Sequence, residues 1–156
     1  MSSQPKPDRS GGLQRTQAPP NVENEALRAE RRQLTVVFVD IVGSTPLSER
    51  IDPEEFFAVI RTYRDICDEQ IRRYGGHIAR MIGDGLLAYF GVPQAHENDP
   101  ERAVRASLAV AAAVKDHKFL LSDGSFVRLG VRVGVNAGVV VVGSVPGDPP
   151  VFSCLD

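Results

Sequence analysis

From Leu34 to Val39 the chain reads LTVVFV, a run of β-branched, aromatic and aliphatic side chains with one hydroxyl. So continuous an apolar run predicts a central strand covered on both faces, with Asp40 closing its end. Thr45 and Pro46 then predict a helix start, with Thr45 as N-cap and Pro46 in the first helical position. A second start follows at Asp52, Pro53, Glu54 and Glu55. Beyond it Phe56, Ile60, Tyr63, Cys67, Ile71 and Tyr74 recur every three or four residues until Gly75 and Gly76, the pattern of an amphipathic helix with a glycine stop. HIARMI and LLAYF flank Gly83, Asp84 and Gly85, which predicts a tight hairpin. Asp99 and Pro100 open another helix, with Val104, Leu108, Ala111 and Val114 marking one face. Val127 to Val135 alternates strictly between aliphatic and polar or glycine positions, a strand with one buried side, and Val139 to Val142 forms a further strand ending at Gly143.

This order of strand, one or two helices, hairpin, helix and two strands predicts an α+β domain, a mixed sheet with helices on one face. Outside it, residues 1–23 are polar and rich in Pro and Gly and cannot bury enough surface to order themselves. Residues 24–32 hold NEALRAERR, a charged, helix-favouring lead-in. The domain occupies 33–143, and 144–156 is an aperiodic end with three prolines.

A length of 156 residues suits one domain with a tail. A formal net charge of −2 provides no bulk basic field, which argues against a nucleic-acid partner. No apolar run approaches the roughly 20 residues that span a bilayer, and there is no signal-peptide core. Cys67 and Cys154 are far apart, and Cys67 falls on the helical apolar stripe, the pattern of a buried thiol rather than a disulfide framework. A cytoplasmic location fits these features. His77, His96 and His117 show no metal-ligand spacing and read as structural or surface residues.

Asp40 and Asp84 carry the candidate chemistry. Each alone is readable as a capping or turn aspartate. If the hairpin pairs beside the first strand, both project from one end of the sheet, where two carboxylates repel unless a divalent cation lies between them. Mg²⁺ suits such a place, because it takes one or two carboxylates, water and substrate phosphate oxygens. After Asp40, Gly43 allows close backbone approach, and the amides of Val42, Gly43, Ser44 and Thr45 lead into a helix start that favours phosphate. Walker-type glycine loops and nucleophile elbows are missing. An aspartate-nucleophile phosphatase would want a second aspartate two residues after the first, where Val42 stands.

With these residues assembled, the chain resembles the catalytic domain of class III adenylate and guanylate cyclases, of the bacterial soluble type. The similarity rests on RRQLTVVFVDIVGST, RRYGGHIARMIGDGLLAYFG, PQAHENDPERAVRASLAV and RVGVNAGVVVVG, covering about residues 31–143. The resemblance implies a ferredoxin-like or polymerase-palm sheet flanked by helices and a head-to-tail dimer with sites at its interface. It implies conversion of ATP or GTP to the 3′,5′-cyclic monophosphate and pyrophosphate, with two Mg²⁺ or Mn²⁺ ions per site. It assigns metal binding to Asp40, Asp84 and the Ile41 carbonyl, phosphate binding to Val42, Gly43, Ser44 and Thr45, and base recognition to Arg80. Members using ATP commonly carry lysine at that last place and guanylate cyclases glutamate, so the resemblance favours ATP over GTP. The family pattern continues to a helix bearing an asparagine and an arginine that this chain lacks. The expectation is therefore a C-terminally shortened domain, with no catalytic residue beyond the metal ligands. Its alternative role is an impaired half-site module, or truncated gene product, that pairs with a complete cyclase.

Overall fold

The computed structural model describes residues 30–143 and 151–154. The expected disordered tail at 1–23, the greater part of the helical lead-in and residues 144–150 lie outside the described residues. The elements in chain order are β1 (Glu30–Val42), α1 (Ser44–Ser48), α2 (Pro53–Arg73), β2 (His77–Ile82), β3 (Gly85–Phe90), α3 (Asp99–Asp116), β4 (Phe119–Leu120), β5 (Phe126–Val127), β6 (Gly130–Gly143) and β7 (Val151–Cys154). Two segments differ from expectation. Glu30, Arg31 and Arg32 extend β1 rather than a helix, because β6 offers them a ladder from Val142 to Val140. Within the aperiodic end, Val151–Cys154 pairs with β6 as an edge strand.

The main sheet has five strands in the order β2-β3-β1-β6-β7. Each of its pairings is antiparallel, whereas alternation of helices and strands had suggested a mixed sheet. The β2–β3 hairpin explains the difference: its return strand, β3, takes the place beside β1 and separates β1 from β2. The α+β class and the ferredoxin-like arrangement stand as expected.

α2 and α3 cover one face of this sheet. Val37, Val39 and Ile41 of β1, Leu86 and Ala88 of β3, Val59, Tyr63, Cys67 and Ile71 of α2, and Ala103, Ala106, Val110 and Val114 of α3 form one buried cluster. Toward its C-terminal end β1 is thus covered on one face only, since Phe38 and Val42, which point the other way by the two-residue period of a strand, are 39% and 51% exposed, while Leu34 on their face is buried. α2 begins as its sequence dictates, with the Asp52 side chain accepting the Glu54 amide at 2.8 Å and Pro53 in the first turn. It ends in a Schellman motif: the Gly76 amide donates to the Ile71 carbonyl and the Gly75 amide to that of Arg72. Gly75 has φ +79°, and an added Cβ would lie 1.6 Å from the Arg102 guanidinium.

α3 is rotated relative to expectation. Its buried residues are Asp99, Ala103, Ala106, Ser107, Val110 and Val114, while Val104 and Leu108 face outward, Leu108 at 67% exposure. Small side chains turn inward because they let the helix approach its neighbours closely. The strand expected over 127–135 is divided: Phe126–Val127 pairs with β4 in a separate ribbon, and Gly130 begins β6, which continues to Gly143 through Asn136, Ala137 and Gly138. β1 pairs with it from Gly130 to Val142, so the small residues cause no break.

A buried polar clamp joins α2 to α3. Asp99 is 4% exposed; its Oδ1 accepts from Arg102 at 2.9 Å and its Oδ2 accepts the His96 amide at 2.7 Å. Arg102 also donates to the Tyr74 carbonyl at 2.8 Å and contacts His96 Nδ1 at 3.1 Å. His96 is structural, as expected, and His117 sets its ring edge-on to Phe119 at 4.6 Å. No helix among the described residues is long and apolar enough to cross a membrane.

Candidate active site

Asp40 stands on the open face of β1, in the alternation Phe38, Asp40, Val42. β3 lies antiparallel beside it with Val39 opposite Leu86, and continuing that register brings the Gly83–Asp84 turn to the end of β1, next to Asp40 and Ile41. The turn forms because Gly83, at φ +64°, supplies the left-handed first position of a two-residue hairpin loop. Gly85 then passes so close to Phe38 that a Cβ there would lie 2.9 Å from its ring.

Asp84 is half-buried, and its Oδ2 is fully enclosed without a hydrogen-bond partner. A buried carboxylate oxygen left unsatisfied is costly, and either a hydrogen-bond donor or a cation would relieve it. Beneath the site lies Tyr63, whose hydroxyl is also buried and unpaired. Burial foremost, then Cys67, then the carboxylates of Asp40 and Asp84 hold that hydroxyl above its ordinary range. One buried group therefore feels both aspartates.

Arg132 of β6 is Asp40's direct cross-strand partner, and its Nη2 donates to Asp40 Oδ2 at 2.6 Å. The sequence reading passed over it, because its role follows from register and not from local pattern. Arg80 reaches the same face by a different device. A β-bulge between Ile78 and Arg80 leaves Ala79 as the extra residue, so Ile78 pairs with the core residue Ala88 while Arg80 pairs with Leu87, which in turn opposes Phe38. Without the bulge Arg80 would share a face with Ile78. Arg80, Leu87, Phe38, Asp40 and Arg132 thus share the open face.

Gly43 turns the chain out of β1 with φ +74° and open space around its Cα. Here the structure corrects the expected cap: Gly43, not Thr45, is the N-cap, and α1 starts at Ser44. The left-handed turn at Gly43 starts the helix directly after it, which carries Thr45 inside the helix. No side chain caps this start, so the first-turn amides have no intrahelical acceptor. A groove of about 310 Å³ runs past Val42 and Gly43, with Arg50 and Arg128 on its walls.

Among the described residues no group of three or more His, Cys, Asp or Glu is placed to hold a metal ion. Two carboxylates with a carbonyl and substrate oxygens are the donor set that a Mg²⁺ site uses, and the orphaned Asp84 oxygen fits that role.

The adenylate and guanylate cyclase catalytic domain model matches residues 28–152. The chain belongs to this cyclase family. It is 32% identical over 117 residues to adenylate cyclase 1 of Rhizobium meliloti, covering 75% of this chain and 18% of that protein. The match to the crystal structure of the guanylyl cyclase Cya2 has a TM-score of 0.66 and 32% identity, over 74% of this chain and 58% of that one. The adenylyl cyclase CyaB of P. aeruginosa matches with a TM-score of 0.71 and 27% identity, over 82% of this chain and 68% of that one. The chain spans less than a fifth of the Rhizobium relative's length. These likenesses agree with the α+β cyclase fold read from the elements.

Proposed function

We propose that this cyclase domain acts on a nucleoside triphosphate, ATP in preference to GTP, joining the ribose 3′ oxygen to the α-phosphorus and releasing pyrophosphate. The observation that carries the reading is the pairing of β1 with β3, which brings Asp40 and the partnerless Asp84 Oδ2 to one end of the sheet.

Asp40, Asp84 and the Ile41 carbonyl would hold Mg²⁺ or Mn²⁺. Bound there, such ions would supply neutralisation of phosphate charge and a lowered pKa for the 3′ hydroxyl. The protein's own contribution is positioning, which carries much of phosphoryl transfer. Amides of Val42, Gly43, Ser44 and Thr45 orient the phosphates at the uncapped turn. Arg80, turned outward by the bulge, meets the base; it puts a cation where members of the family that use ATP commonly carry lysine, and this supports ATP over GTP. The apolar open face, with Phe38 and Val42 uncovered, supports pairing with a second cyclase domain that completes the site.

The test is formation of cyclic AMP and cyclic GMP with Mn²⁺ or Mg²⁺, by the chain alone and mixed with a complete cyclase subunit lacking its own metal aspartates. Product that vanishes in Asp40→Ala and Asp84→Ala is expected. Failure of both preparations to form product, with folding intact, overturns the reading.

A further inference from the structure

Among the described residues two enclosed side-chain oxygens lack a hydrogen-bond partner, the Tyr63 hydroxyl and Asp84 Oδ2. Tyr63 is 0% exposed on the inner face of α2, in the core cluster that also holds Val39 and Ile41 of β1. A phenylalanine would fill that place without the cost of an unpaired hydroxyl, so core packing gives no reason for the oxygen. The Cys67 thiol, one turn further along α2, is at most a weak acceptor. Continuing the β1–β3 register sets Asp84 opposite Ile41, whose side chain is buried in the same cluster as Tyr63. An O–H donor and a carboxylate oxygen are thus left over in one layer, between α2 and the end of the sheet. Tyr63 also feels the charge of Asp84 through that layer. Each of the two groups is what the other lacks.

We infer that Tyr63 is a positioning residue for Asp84: its hydroxyl donates to Oδ2 when a divalent cation engages the carboxylate, and so decides which oxygen the cation meets. Tyr63 is held by core packing, so the carboxylate at the hairpin turn is the member that rotates. The hydrogen bond supplies Oδ2 with a donor from the protein and leaves Oδ1 for the ion. Partners that orient a metal ligand in this way are typically worth about 10–100-fold in metal affinity. The inference rests on the reading of Asp84 as a metal ligand.

The experiment uses the full chain without nucleotide. Mn²⁺ is added and free Mn²⁺ is followed by electron paramagnetic resonance. Tyr63→Phe is expected to weaken Asp84-dependent Mn²⁺ binding about 10–100-fold, while its urea midpoint without metal equals or exceeds that of the wild type, because the variant loses only an unpaired hydroxyl. A second reading comes from the tyrosines themselves. The chain has three of them and no tryptophan, so near-ultraviolet difference absorption reports on them directly. Mg²⁺ is expected to shift the tyrosine band of the wild type and to leave that of Tyr63→Phe unmoved.

Unchanged Mn²⁺ binding by a natively folded Tyr63→Phe overturns the inference and leaves the metal reading standing. A Mg²⁺-induced tyrosine shift that persists in Tyr63→Phe, or its absence from the wild type, also overturns it. Should Tyr63→Phe lose the native circular dichroism spectrum, the variant with both Tyr74→Phe and Tyr89→Phe decides: a retained shift supports Tyr63 and a lost one overturns it. Absence of Asp84-dependent Mn²⁺ binding by the wild-type chain overturns the inference together with the metal reading.

Discussion

Cys67 is wholly buried on α2, and burial pushes its thiol from about 9 in the open chain up to about 12, the nearby Tyr63 hydroxyl opposing part of the rise. The folded protein therefore keeps a proton that the unfolded chain releases first, and stability tied to this thiol is full below pH 9 and is lost as pH rises toward 12. Tyr63 acts in the same direction at higher pH, since its hydroxyl is also held protonated by the fold. Urea denaturation between pH 9 and 10 is expected to show a falling midpoint in the wild type and a flatter one in Cys67→Ala. Equal slopes would contradict the burial argument. Cys67 was legible as a core thiol from its place on the stripe, and Asp40 and Asp84 stood out because a carboxylate is conspicuous in apolar or turn sequence. Arg132 was not legible: an arginine on a half-exposed strand looks like solvated charge until the register sets it opposite Asp40.

At the level of elements, α3 shows where hydrophobic pattern misleads. Val104 and Leu108 are the larger side chains, yet Ala103, Ala106, Ser107 and Val110 are the ones that meet the core. Size competes with proximity, and a helix packed against both a sheet and another helix favours small contacts. Leu108→Glu is expected to change unfolding free energy by no more than about 0.5 kcal/mol, whereas Ala106→Leu is expected to cost about 1–3 kcal/mol through overpacking. Chemical denaturation of both variants checks the assignment, and the opposite ranking would restore the rotation suggested by the sequence. β2 gives a second case. Its alternation hides the extra residue at Ala79, and that one residue decides which face Arg80 occupies.

At the scale of the whole molecule, the sheet is half covered. α2 and α3 close one face, and the other exposes Phe38 and Val42 around Asp40 and Arg132. An apolar face that also carries the charged site suits a second cyclase domain better than bulk water. Sedimentation velocity is expected to find a dimer that Phe38→Asp converts to monomer while the circular dichroism spectrum is kept; a wild-type monomer at high concentration would argue against self-pairing. By itself the sequence determined the α+β class, the long helix with its Pro start and glycine stop, the hairpin and the two aspartates, because each depends on neighbours a few residues apart. Only the tertiary structure decided the all-antiparallel pairing, the rotation of α3, the side on which Arg80 emerges and the partnership of Asp40 with Arg132. Those depend on which strand lies beside which, and in what register, and a single residue of register reverses every side chain's face.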